Sequence, residues 1–230
     1  MIKNGKIVDL SWTLMPGEEK RLLEVETIDS ASVTGADEDG RGQGWYIMSN
    51  INIVSHQGTH IEVPYHAIKE GKDLAAFDPA QLIGEAVILD LTALKPGEGA
   101  DPETVQKAAE KAGGVKEGDI VFIATGHDRF YRTDWEKYLN PYPYLTKTAT
   151  EWLVGRGIGA YGVDWTGAMD PGFNDRENHL ALFEKNIPII ENLRNLTAVA
   201  GRRVFVSALP IAVKGLESVP LRVVAVVDEE

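Results

Sequence analysis

Hydrophobic residues fall in short runs separated by polar turns. EAVILDLT (85–92), DIVFIATG (119–126) and GAYGVDWTG (159–167) are continuous apolar segments, the pattern of strands buried on both faces. GKIVDLSWTL (5–14) alternates as a strand does, and IPIIENL (187–193), VFVSALPIAV (204–213) and LRVVAVVD (221–228) are β in character. WYIMSNINIVSHQGTHIEV (45–63) also has β-type composition, interrupted at Gly58. Between the first two runs, DPETVQKAAEKAG (101–113) predicts a helix, with Asp101 as N-cap, Pro102 just inside and Gly113 at its end. LTKTATEWLVGRG (145–157) predicts a second helix with Thr146 as cap, and HLALFEKN (179–186) a short third. Residues 15–44, rich in Gly, Glu and Asp, read as a long surface excursion with room for a hairpin. Strands alternating with helices, flanked by β-rich ends, indicate an α/β domain with a mixed sheet and flanking helices.

At 230 residues the chain is expected to form one domain. It carries 23 basic and 35 acidic side chains, a formal net charge of −12. A field of that sign repels phosphate backbones and argues against nucleic acid as a partner. There is no cysteine, which removes disulfides, thiolate metal sites and a thiol nucleophile. No apolar run reaches the roughly 18 residues that suggest a membrane span. The first residues, MIKNGKIVDLSW, lack a signal peptide's apolar core, so a cytoplasmic location is expected.

The candidate chemistry lies in SHQGTHIEVPYH (55–66), which holds three of the five histidines together with Glu62. His56, His60, Glu62 and His66 are all at even positions and share one face of an extended chain. A straight strand from first to last would span about 33 Å. One site therefore requires bends, and Gly58 and Pro64 supply them. Imidazole nitrogen with carboxylate oxygen suits Zn²⁺, Mn²⁺ or Fe²⁺, whereas Ca²⁺ and Mg²⁺ prefer all-oxygen shells. A cluster of satisfied polar side chains is the alternative at this stage. His127 and Asp164 are candidates for supporting a ligand or touching substrate, and Trp45, Tyr46, Trp165 and Phe173 for lining a pocket. Asn192 and Asn195 are read as residues that orient backbone, and Arg222 as a structural ion-pair residue.

SHQGTHIEVPYH resembles the H-x-G-T-H-x-D-x-P-x-H signature of the cyclase family, which includes bacterial-type kynurenine formamidases and isatin hydrolases. TGHDRFY (125–131), GIGAYGVDWTGAMDPG (157–172), ENHLALFEKNIPIIENLRNL (177–196) and FVSALPIAVKGLESVPLRVVAVV (205–227) resemble its later segments in the same order. The resemblance implies a swivelling β/β/α domain forming homodimers or homotetramers. It implies a centre of one or two divalent ions, Zn²⁺ or Mn²⁺, on His56, His60, Glu62, His179 and Glu191. His66 would then be the catalytic acid/base. The family's aspartate is here Glu62, one methylene longer. The activity implied is hydrolysis of a small amide-type substrate: an N-formyl or aryl formamide, a lactam or a cyclic imide. Alternatives are a lactone hydrolase, a dehydrating cyclase, or a small-molecule or metal-binding protein without turnover.

Overall fold

The computed structural model describes residues 5–29, 47–167, 170, 172 and 175–228. Its centre is four parallel strands: β5 (Ile83–Asp90), β7 (Ile120–Ala124), β9 (Ala160–Val163) and β10 (Ile189–Glu191). On one side the sheet continues antiparallel through β11 (Arg203–Ser207) and β13 (Val224–Asp228) to β1 (Gly5–Asp9). On the other it continues through β4 (His60–Glu62) to β12 (Ser218–Pro220), completing nine strands. The expected mixed sheet is therefore present.

The pleat sorts the central residues into two cores. Val87, Leu89, Val121, Ile123, Tyr161 and Val163 pack under three helices. These are α1 (Pro102–Lys111), α3 (Lys147–Gly155) and α4 (Asp175–Phe183). Ala86, Ile88, Ile120 and Phe122 face the other way. There they meet Val204 and Val206 from one end of the sheet and Ile61 and Val219 from the other. Residues from both ends enter one core, so the sheet curls around it.

The predicted caps form as expected. Asp101 accepts a hydrogen bond from the Thr104 amide and Thr146 from the Ala149 amide. A small helix, α2 (Trp135–Leu139), was not visible in the sequence pattern, because five residues are too few to show a period. The segment 204–213 departs from expectation: pairing stops at Ser207, and Leu209 and Ile211 are exposed. The expected third helix starts earlier, at Asp175, and the last strand starts later, at Val224. β2 (Leu23–Asp29), within the expected excursion, pairs with β3 (Ile47–Ile53), which lies past its end in the segment of β-type composition, as an antiparallel hairpin. A parallel pair, β6 (Gly99–Ala100) with β8 (Tyr144–Leu145), closes the loops beside α1. Among the described residues no helix is long and apolar enough to cross a membrane.

Gly162, in the middle of β9, lets Phe122 and Leu193 close over the strand. A Cβ there would lie 2.5 Å from the Phe122 ring and 2.8 Å from the Leu193 side chain. Gly162→Val is expected to destabilise the fold by about 1–3 kcal/mol through overpacking. A melting temperature lowered by about 2–4 °C per kcal/mol is the readout.

Candidate metal centre

Strand pairing assembles the site. β4 lies between β10 and β12, and its register sets His60 opposite Glu191. His60 and Glu62 are two residues apart and so share a face. His179 approaches from α4, and His56 returns over the strand through a turn at Gly58. Gly58 has φ of +59°, and a Cβ there would run into the Leu14 side chain, so the bend requires glycine.

Glu62 is the centre of the cluster. Its Oε1 lies 2.7 Å from His56 Nδ1 and 3.2 Å from His60 Nε2, and its Oε2 lies 3.0 Å from His179 Nε2. The extra methylene of glutamate therefore leaves the carboxylate in the middle of the three imidazoles. Glu191 Oε2 is 3.7 Å from His60 Nε2 and accepts a hydrogen bond from Thr166 Oγ1 at 3.3 Å. Glu62 and Glu191 are only 3% and 4% exposed. His66, beyond the Pro64 bend, remains exposed, its ring 4.7 Å from that of His56 and 5.3 Å from that of His179. Among the described residues its side chain makes no hydrogen bond. All six residues except His60 border one cavity of about 420 Å³, which also meets Arg21 and Thr166.

The electrostatics follow from burial. Burial alone would raise the Glu62 carboxyl, but bonds to His179, His56 and His60 outweigh it and hold the group well below the ordinary carboxylate range. Glu191 is pushed up, first by burial and then by the charge of Glu62. Burial would lower His60, yet Glu62, Glu191 and the Gly58 carbonyl leave it above the usual imidazole value. His66 is lowered, first by the part of its ring that is shielded from water and then by the neighbouring imidazoles, against the pull of Glu62. Donor atoms of His60, Glu62 and Glu191 lie within 4.8 Å of one another, as do those of His56, Glu62 and His66. Two buried carboxylates among imidazoles, with neither lysine nor thiolate in the group, fit a divalent cation.

The His60 tautomer is fixed from behind. Its Nδ1 lies 2.9 Å from the Gly58 carbonyl, leaving Nε2 directed at the carboxylates. The same carbonyl accepts from the Asn192 amide at 2.9 Å, and Asn192 Oδ1 accepts from the Tyr138 hydroxyl at 2.6 Å. Asn192 has φ of +56°, a conformation asparagine tolerates, and its carbonyl accepts from Thr59 Oγ1. Asn192 and Asn195 thus hold backbone, as expected, and Arg222 pairs with Asp9 at 2.7 Å.

The other described candidates, Asp164, His127 and Trp165, do not line the cavity. Asp164 accepts bonds from the Thr125 amide and hydroxyl and the Gly126 amide, tying the ends of β7 and β9 together. His127 is buried against Tyr138, its Nε2 3.0 Å from the Tyr138 carbonyl. Trp165 packs in the helix-side core while its neighbour Thr166 reaches the cavity. Trp45, Tyr46 and Phe173 lie outside the described residues. Tyr138, Thr166, Arg21 and Glu217 escaped the sequence reading. Glu217, 3.4 Å from His56 Nε2, comes from the loop before β12, and no motif marks it.

The model of the family described as "Putative cyclase" matches residues 8–170. The chain belongs to the cyclase family. A kynurenine formamidase from Bacillus anthracis is 30% identical over 236 residues, covering 97% of this chain and 98% of the relative. Isatin hydrolase A from Ralstonia solanacearum superposes with a TM-score of 0.82 at 23% identity, covering 97% of this chain and 92% of that one. A "predicted metal-dependent hydrolase" from Bacillus stearothermophilus superposes with a TM-score of 0.73 at 23% identity, covering 96% and 98%. At these identities the two structures establish the shared fold. The relatives named are hydrolases, and His56, His60, Glu62 and His66 of the cluster stand in the segment that carries the family signature, while His179 and Glu191 come from later in the chain.

Asn192→Ala removes the brace behind His60. It is expected to cost about 1–3 kcal/mol, because the Tyr138 hydroxyl loses its acceptor. It is also expected to weaken divalent-cation binding about 10- to 100-fold. Denaturant unfolding reads the first effect, and competition with a chelating dye the second.

Proposed function

We propose that this chain is a metal-dependent hydrolase of a small amide-type substrate, an aryl or N-formyl amide, a lactam or a cyclic imide. The observation that carries the reading is an exposed imidazole, His66, that shares one small cavity with Glu62, a buried carboxylate gathering the imidazoles of His56, His60 and His179. The kynurenine formamidase relative supports the amide class. His56, His60, Glu62, His179 and Glu191 would hold Zn²⁺ or Mn²⁺, as one ion or two. A divalent cation bound there supplies a Lewis acid that polarises a carbonyl and lowers the pKa of water to about 7.

The protein's own groups account for proton movement. For His66, a lowered pKa favours the neutral imidazole, the form that can take a proton. As water oxygen bonds to the acyl carbon, the His66 imidazole accepts the water proton. The C–N bond then breaks, and His66 returns that proton to the leaving nitrogen, giving a carboxylic acid and an amine. Thr166 steadies Glu191 at the cavity wall. The cavity volume suits a small substrate.

Self-association as a homodimer or homotetramer belongs to the same proposal. It is supported by the β2–β3 hairpin, where Val25 and Ile51 stand opposite each other and are 45% and 65% exposed. Light scattering of the purified protein tests it, and a monomer overturns it.

His66→Gln is expected to keep its metal by elemental analysis while kcat on an aryl formamide falls about 10²- to 10⁴-fold. Unchanged turnover would refute the acid/base role, and lost metal would make His66 a ligand. Dialysis against a chelator is expected to abolish turnover, and Zn²⁺ or Mn²⁺ to restore it. Activity that survives complete metal removal contradicts the proposal.

A further inference from the structure

Arg21 is the one lysine or arginine bordering the cavity among its described lining residues. Everything else ionisable there is a carboxylate or an imidazole: Glu62, Glu191, His56, His66 and His179. Arg21 sits just before β2, and its guanidinium donates to the backbone carbonyl of His56. His56 thereby touches both Arg21 and Glu62. Its carbonyl holds the arginine, and its imidazole meets Glu62.

A carbonyl occupies one of the five N–H donors of a guanidinium. The acidic residue two positions away, Glu19, does not neutralise Arg21. Its carboxylate is buried and committed to Arg132 at 2.6 Å, the Met15 amide at 2.8 Å and the Gln57 amide group at 2.7 Å. A permanent positive charge is thus held at the wall of a small cavity in a protein whose net charge is −12. The planar guanidinium fork matches the two oxygens of a carboxylate and distinguishes it from a neutral amide of the same shape.

We infer that Arg21 recognises an anionic group on the substrate, and that the preferred substrate is a small amide bearing a carboxylate. The inference rests on the hydrolase reading above and narrows it. The amide lies toward Glu62 and His66, and the carboxylate toward Arg21. A purely structural Arg21, pinning its loop to His56, would serve charged and neutral substrates alike.

The test is a matched pair, N-formylanthranilate and formanilide, which differ by one carboxylate, assayed with the metal-loaded protein. The wild type is expected to prefer the carboxylate substrate. In Arg21→Gln the ratio of the two kcat/KM values should fall about tenfold, the loss appearing in KM for the charged substrate. Arg21→Lys, which keeps the charge without the fork, should recover part of the ratio. A ratio that stays constant, whether both rates fall or neither does, overturns the inference. If the wild type hydrolyses neither compound, the hydrolase reading fails on these substrates, and calorimetric binding of benzoate against benzamide decides the role of Arg21. A benzoate preference about tenfold weaker in Arg21→Gln supports it. No preference in the wild type, or one unchanged by the substitution, refutes it.

Discussion

The carboxylate of Glu62 governs the site. A buried anion is costly unless its partners are held in place, because desolvation penalises the charged form by several kcal/mol. Here three imidazoles from two stretches of chain, the segment 56–60 and α4, converge on two oxygens. Neither of these stretches could be displaced without stranding the charge. Glu191 adds a second buried carboxylate that burial and Glu62 both disfavour as an anion. Such a pair is a poor device for stability and a good one for holding a cation, since a divalent ion offsets both charges at once.

The scaffold supplies rigidity where the chemistry demands it. The central strands are buried on both faces, and their side chains divide between two cores. Loops carry the rest: the turn at Gly58, the bend at Pro64 and the left-handed Asn192. Tyr138 and Asn192 link α2 to the turn between His56 and His60, so a small helix far along the chain steadies the segment that carries both histidines. The cyclase-family signature is therefore backed by residues outside it.

Much of this was legible in the sequence. The central strands and capped helices announced themselves through apolar runs and cap residues, because their burial and end chemistry are local. The grouping of His56, His60, Glu62 and His66 was visible from parity and from Gly58 and Pro64. Convergence with His179 and Glu191 was not, since it depends on how β4 and β10 pair. It came only through resemblance to the family. The edges of segments failed most often. The apolar run 204–213 looked like one strand, yet its second half leaves the ladder, and composition carries no record of pairing partners. Arg21, Thr166, Tyr138 and Glu217 escaped because each is an ordinary residue whose role comes from tertiary neighbours alone. Asp164 and His127 owe their contacts to tertiary neighbours as well: Asp164 joins the ends of β7 and β9, and His127 meets the Tyr138 carbonyl of α2.

The β4–β10 register carries one more implication. A slip of a single residue would swing Ile61 into the cavity and turn His60 and Glu62 toward the apolar core. Such a molecule would keep its strand content and much of its compactness, yet have nowhere to seat an ion. Strand alignment and the candidate metal centre are thus one property, since the observed register is what sets His60 opposite Glu191.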